Sequence, residues 1–382
     1  VKLLIISHTE HHLRGGTLVG WGPTVREISH LAGIFESVTH IATLRPDPAP
    51  DSEIAYTSDR VRFVPLPPSG GSGLGAKLGI LLAYPRYATV MLRELRALSA
   101  DDVVHVRAPA NVALLAMLLL VFVRQPARRW IKYAGNWHPD APDAPSYRFQ
   151  RWFLKTGLHR AQVTVNGEWE GDPPFVHSFI NPCLTDEEAR AGGGIARAKT
   201  LDDPLRLIFV GRLERAKGVE RALRALAAVT ARGIPAEIDL IGDGKERPEL
   251  EALARELGIA DRAHFHGWVA RTAIAPYYQQ AHLMLFPTNS SEGWPKVISE
   301  AMAYGVVPLA GSVSAIPQFL HAFGTGMALD PLDVDAYAEA IACYRDDPGR
   351  WRAESIHAVQ AAERFTYTSF LGDVRRLLGL TD

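Results

Sequence analysis

Cysteine is scarce in this chain: two residues in 382, Cys183 and Cys343. So few, so far apart, they supply neither a disulfide framework nor the closely spaced thiols of a structural zinc site, and a reducing, cytoplasmic setting is the expectation. Excess charge is missing too. With 41 Lys+Arg against 42 Asp+Glu the formal net charge is −1. Nothing global therefore draws the chain to nucleic acid or membrane, and anion binding has to come from local clusters. Membrane-length apolar runs are also lacking. VALLAMLLLVFV at 112–123 has twelve residues, short of the roughly 20 that cross a bilayer, and reads as a buried helix. The opening VKLLIIS is too short, and too soon followed by charge and histidine, for a secretory leader; it reads as a first buried strand.

What is present is an alternation of short β-branched runs with amphipathic stretches, in a chain whose 47% hydrophobic content suffices for two cores. The pattern predicts strands at 2–7, 37–43, 61–66, 103–107, 130–135 and 162–167, with helices over 23–34, 78–98, 111–123 and 147–160. TDEEARAGGGIARAKTLDDP at 185–204, three glycines in a row amid charges, reads as a linker or mobile loop. The alternation then restarts with strands at 205–211, 236–244, 263–269, 283–288 and 306–311. Helices are expected over 218–232, 247–257, 272–280, around Glu300, over 330–347 and over 365–380. Each half is thus expected to be a doubly wound α/β unit, the two facing each other across a cleft with ligands beyond the carboxyl ends of the strands.

Two motifs carry chemistry. In FVGRLERAKGVE (209–220) a strand ends, Gly211 turns the chain, and Arg212 and Lys217 stand before a helix. Two cations beside a helix N-terminus suit a diphosphate, although either could be a solvated loop charge. In SEGWPKVISEAM (291–302) Pro295 suits the first helical position, so Glu292 lies in the loop and Glu300 inside the helix. Carboxylates so separated would accept hydrogen bonds from hydroxyls at two ends of one long ligand, a sugar and a ribose, with the helix N-terminus facing phosphates between them. A metal would need ligands converging on one point, which this spacing does not give. Read alone, Glu292 is equally a helix cap and Glu300 a surface residue.

GRLERAKG and EGWPKVISEAMAYGVVPLAG together resemble the two donor-side signatures of the retaining glycosyltransferases of family four, with Glu292 and Glu300 as the E-x7-E element. The likeness runs over 205–330, including LIGDG and FHGWV, and is looser in the first half, where DVVHVRAP and a Gly-Gly loop carry it. The resemblance implies a GT-B fold of two Rossmann-like domains. The boundaries expected are 1–184 for the acceptor domain, 185–204 for the linker and 205–364 for the nucleotide-sugar donor domain, with the last helix, about 365–382, packing back on the first domain. It further implies that Arg212 and Lys217 neutralise the donor diphosphate, Glu300 binds the ribose and Glu292 touches the transferred sugar. Backbone N–H groups from Gly293 through Trp294 and Pro295 to Lys296 would hold oxygens of the sugar and phosphates. Gly15 and Gly16 would let backbone approach the diphosphate, and Trp268 and Val269 would line the base pocket, Trp268 equally able to pack or to stack. No cofactor and no metal are implied beyond the nucleotide-sugar donor.

One departure stands out. Many relatives place a histidine after the fifth strand of the first domain, where this chain has Ala134 and Gly135; Asn136, His138 or His105 are the candidates to replace it. The acceptor is expected to be a saccharide or lipid-linked. Residues 124–160 hold eight Lys/Arg and two Asp amid Trp130, Trp152 and Phe153, which suits contact with the inner membrane surface or a solvated helix over a buried aromatic stripe. The reading overall is a transferase in cell-envelope polysaccharide or glycolipid assembly. Its alternatives are another GT-B enzyme, such as an epimerase or hydrolase, and a non-catalytic nucleotide-sugar-binding subunit. A nicotinamide enzyme fits poorly, because GGTLVG is not G-x-G-x-x-G.

Overall fold

Runs of Val, Ile and Leu form two separate parallel sheets in the computed structural model, which describes residues 1–68, 74–139, 143–290 and 293–380. The chain divides into one unit of Val1–Phe179 with Leu371–Asp382 and another of Ile180–Phe370.

The first unit contains β1 (Lys2–Arg14), β2 (Thr17–Trp21), α1 (Gly22–Leu31), β3 (Ser37–Leu44), β4 (Glu53–Ala55), β5 (Val61–Leu66), α2 (Leu74–Arg96), β6 (Val103–Ala108), α3 (Asn111–Phe122), β7 (Arg128–Tyr133), α4 (Pro145–Lys155), β8 (Gln162–Val165) and β9 (Val176–Ser178). Its parallel strands run in the order β5-β3-β1-β6-β7-β8-β9. Leu3 to Ile6 in central β1 are buried without alternation, as a strand covered on both faces requires. The far half of β1 pairs antiparallel with β2, which pairs with β4.

The second unit contains α5 (Asp186–Ala198), β10 (Leu205–Val210), α6 (Val219–Ala231), β11 (Ala236–Ile241), α7 (Arg247–Glu256), β12 (Ala263–Gly267), α8 (Ala275–Gln280), β13 (Leu283–Phe286), α9 (Lys296–Ala303), β14 (Val307–Gly311), α10 (Ile316–Phe323), β15 (Met327–Leu329), α11 (Val334–Asp346) and α12 (Pro348–Ala362), while α13 (Tyr367–Leu378) straddles the division. Its six strands are all parallel, in the order β12-β11-β10-β13-β14-β15. In both sheets the order reverses beside the unit's first strand, between β1 and β6 and between β10 and β13. Such a switch point opens a crevice at the carboxyl ends of the strands.

The expected linker is a helix. Thr185 and Glu188 form a capping box: Thr185 Oγ1 accepts from Glu188 N (3.1 Å), and Thr185 N donates to Glu188 Oε2 (2.8 Å). The glycines serve contact rather than mobility. A Cβ on Gly192 would lie 2.4 Å from the Ala303 carbonyl oxygen, and one on Gly193 would lie 3.1 Å from Val359, whereas Gly194 faces open space. After the helix, Lys199 donates from Nζ to the carbonyls of Tyr278 (3.0 Å), Ala281 (2.7 Å) and Tyr304 (2.8 Å), fastening the ends of α8 and α9. The division between units accordingly falls at 179/180, ahead of the helix, instead of inside 185–204.

Gly192→Ala should therefore destabilise by about 1–3 kcal/mol through overpacking. Gly194→Ala should be neutral or stabilise by up to about 1 kcal/mol through helix propensity. Urea unfolding of the two variants checks this contrast; a mobile linker would make both silent.

Candidate functional site

At the switch point of the second sheet the chain leaves β10 through Gly211 and Arg212, makes a 3-10 turn over Arg215–Lys217 and enters α6 through Gly218. Gly218 has φ +85°, and a Cβ there would sit 2.1 Å from the Pro287 carbonyl oxygen. Only glycine allows both. Pro287 begins the loop after β13, and its carbonyl also accepts from Arg221 Nε (2.9 Å) and Nη2 (2.6 Å). The Ala216 carbonyl in turn accepts from Asn289 N (3.1 Å) and Thr288 Oγ1 (3.3 Å). The loops after β10 and β13 are thereby joined, and the second leads into α9.

Arg212 is 70% exposed on its side chain and, among the described residues, pairs with neighbouring Glu214 at 2.8 Å. Such an exposed pair stabilises little and leaves the guanidinium available. Lys217 does not project as expected; it is 6% exposed, buried in the turn. Glu300 forms an ion pair with Arg271 and accepts from Tyr278 Oη at 3.4 Å. Arg271 also donates to Glu188 Oε2 at 2.8 Å and to the Cys183 carbonyl. One guanidinium thus joins the helix of Glu300 to the start of α5, and the Glu300 and Glu188 carboxylates beside Arg271 raise its pKa in spite of burial.

Around α9 several expectations change. Pro295 is the N-cap, outside the helix, and has no N–H to offer a ligand, so donors in this stretch are limited to Gly293, Trp294 and Lys296. The Trp294 indole is buried among Phe319, Phe323 and Phe365, with Nε1 donating to Ser299 Oγ at 2.7 Å; apolar burial leaves only its backbone for a ligand. Trp268, in contrast, is 54% exposed, which decides against packing, while Val269 is half-buried against the core. Glu292 lies outside the described residues.

In the first unit Gly15 and Gly16, φ +57° and +82°, form a two-residue turn between paired Arg14 and Thr17. Positive φ at both positions is the hairpin geometry that matches strand twist. Nothing lies within 4 Å of a Cβ at either, so the backbone there is open to approach. His105 is not at a surface: it is fully buried in β6, stacked on Trp130 at 3.7 Å, with Nδ1 donating to the Trp130 carbonyl at 3.3 Å. That burial removes it from any direct acceptor contact. Asn136 is buried as well, its Oδ1 accepting from His138 N at 3.1 Å. His138 alone of the three is open, stacked on Trp169 at 4.6 Å, with Lys155 Nζ 3.5 Å from its Nε2. Lys155 lies 2.8 Å from Asp172, which also accepts from Trp137 Nε1 at 2.7 Å. Burial, then the Lys155 charge, holds the His138 pKa below its ordinary value.

A second buried polar system was not legible in advance. The His11 Nδ1 faces the Thr9 carbonyl (3.1 Å) and must carry the proton; its Nε2 then accepts from Tyr56 Oη (2.7 Å). Tyr56 accordingly accepts from His40 Nδ1 (2.6 Å), and His40 Nε2 accepts from Ser7 Oγ (2.7 Å). Both imidazoles are neutral. Burial pushes His11 down to about 4 and His40 well below the histidine range.

Residues 195–362 match the protein family described as "Glycosyl transferases group 1". The chain is similar to a D-inositol 3-phosphate glycosyltransferase of Kribbella flavida, 30% identical over 208 residues that make up 51% of this chain and 49% of that one. It spans about half the length of the curated relatives it matches. Among solved structures it is similar to a sucrose-phosphate synthase from Thermosynechococcus elongatus, with TM-score 0.71 at 18% identity over 98% of each chain. It is likewise similar to Anabaena HepE in complex with UDP, with TM-score 0.70 at 16% identity over 100% of each chain. The fold is therefore GT-B, two Rossmann-like parallel-sheet units.

Arg271→Met removes the cation shared by the Glu188 and Glu300 carboxylates and should lower stability by about 1.5–3 kcal/mol, the range for a charged hydrogen bond, measured by urea unfolding. Acid should destabilise through His11 and His282, each lowered to about 4 by burial. Between the unfolded value near 6.5 and that folded value the unfolded chain binds more protons, so stability falls as pH falls, by up to about 1.4 kcal/mol per pH unit for each. Unfolding midpoints from pH 7 downward check the slope, and His11→Gln should flatten it.

Proposed function

We propose, from the match of residues 195–362 to the glycosyl transferases group 1 family, that the protein is a retaining glycosyltransferase that moves a sugar from a nucleotide-diphosphate sugar to a saccharide or lipid-linked acceptor. We place this activity in cell-envelope polysaccharide or glycolipid assembly, in the cytoplasm at the inner membrane surface. The observation that carries the reading is the joining of the Arg212 loop to the loop before α9 at the switch point of the second sheet. A solved structure of the same fold that holds UDP supports it.

In this reading Arg212 neutralises charge that builds on the diphosphate as the sugar leaves, with Lys217 adding its field from inside the turn and no metal required. The backbone N–H groups of Gly293, Trp294 and Lys296 meet sugar and phosphate oxygens at the start of α9. Glu300, held in place by Arg271, is the acceptor for the ribose hydroxyls. Glu292 takes hydroxyls of the transferred sugar. The exposed Trp268 offers a face for the base. Among the acceptor-side candidates His138 carries the reading forward, being the one with an exposed ring.

Arg212→Ala should weaken nucleotide-diphosphate binding by about 1.5–3 kcal/mol, the range for a charged hydrogen bond. Glu292→Ala should abolish transfer and leave that binding nearly intact. Thermal shift with a panel of nucleotide sugars, followed by product analysis with and without acceptor, measures both. Donor epimerised or hydrolysed with no acceptor present would overturn the transferase reading.

A further inference from the structure

Among the described residues thirteen large apolar side chains are exposed, and six of them, Leu118, Phe122, Tyr147, Phe149, Trp152 and Leu158, come from α3, α4 and the turn that follows α4. Topology places these elements together. α3 follows β6 and α4 follows β7, strands adjacent in the sheet, and successive right-handed crossovers put both helices on the same face. Side-chain bonds tie the two at each end. Gln150 Oε1 on α4 accepts from Ala110 N, the N-cap of α3, at 3.1 Å. At the other end Arg129 Nη1 donates to the carbonyls of Leu120 (2.7 Å) and His159 (3.1 Å), so the last turn of α3 lies within one guanidinium of the turn after α4.

The outward stripe of α3 is Leu118 and Phe122, four residues apart, with Phe122 84% exposed. That of α4 is Phe149 and Trp152, their rings 5.5 Å apart. Arg124, Arg148 and Arg160 are exposed around them. Acidic residues hardly enter: from 111 to 160 the sequence has only Asp140 and Asp143. Asp143 is held by Arg151 at 2.6 and 2.9 Å, and Asp140 lies outside the described residues.

We propose that this face of α3 and α4 is a docking surface for an anionic lipid bilayer, with Phe122, Trp152 and Leu158 entering the headgroup boundary while Arg124, Arg148 and Arg160 meet lipid phosphates. Tryptophan and phenylalanine ringed by arginine favour that boundary, where one end is apolar and the other charged. A second copy of the chain fits less well, since a two-fold contact through this patch would set arginines against arginines. Spanning is ruled out for α3, twelve residues long, and among the described residues no helix is long and apolar enough to cross a membrane. The inference deepens the membrane setting proposed above by assigning it to named residues, and its test does not read sugar transfer.

The test is flotation of the full chain with vesicles of phosphatidylcholine alone and of phosphatidylcholine mixed with phosphatidylglycerol, at low and high salt. Wild type should float with the mixed vesicles and detach as salt rises. Arg124→Ala/Arg160→Ala should lower partitioning about 30-fold at low salt, the effect of two basic residues near an anionic surface. Phe122→Ser/Trp152→Ser should also detach the chain, with the melting profile kept as proof of folding. Wild type that stays in the aqueous phase, or variants that float like wild type, would overturn the proposal. So would a wild-type dimer that Phe122→Ser/Trp152→Ser turns into monomers, which would assign the face to a second copy. Vesicle binding without any nucleotide-sugar thermal shift would leave the surface standing and sink the donor reading.

Discussion

Gly218 lies with its backbone against the Pro287 carbonyl, and the loops at the switch point of the second unit are arranged around that approach. A side chain of any size would force β10 and β13 to deliver their loops farther apart. With glycine in place, the Pro287 oxygen is shared by α6 through Arg221, and the Ala216 oxygen takes two donors from the facing loop. The segment bearing Arg212 and residues 287–289 of the loop after β13 are consequently tied to each other, and charge stabilisation depends on donors that need no reorganisation when charge develops.

The helix that follows is held at two points of different character. Ahead of α9 the Trp294 ring lies in an aromatic box, and inside it Glu300 is bound by Arg271. The first anchor sets where the N-terminus points; the second aligns a carboxylate that would otherwise choose among rotamers. Arg271 reaches from there to Glu188 at the start of α5, so the segment that opens the second unit helps to orient a residue at its site.

Strands covered on both faces were legible because burial leaves a continuous apolar run, as in Leu3 to Ile6 and Leu207 to Val210. The short pieces β2, β4, β9 and β15 were not, since none of them carries a run of more than two buried apolar residues. The glycines of α5 misled, since close approach of two helices and a flexible linker call for the same residue; the Thr185-Asp186-Glu187-Glu188 capping box was the signal available. Likewise the Arg14-Gly15-Gly16-Thr17 turn announces a hairpin, while the expected first strand stopped at residue 7. Of the candidate site, Arg212 and Glu300 are proposed from their motifs. Arg271 could not be, because its partners lie 29 and 83 positions away in sequence. Nor could composition distinguish Trp294, which is core, from Trp268, which is exposed: their surroundings are tertiary.

Tyr56 occupies a singular place in the first unit. Its hydroxyl receives a proton from one imidazole and gives one to the other, so the orientation of the whole line from Ser7 to Thr9 passes through a single oxygen. Phenylalanine at 56 would keep the ring and cut the line: His11 would stay fixed by the Thr9 carbonyl, while His40 would be free to choose its tautomer against the Ser7 hydroxyl. The N-terminal unit would then hold two independent imidazoles in place of one coupled pair, each resolvable by its ring-nitrogen resonances.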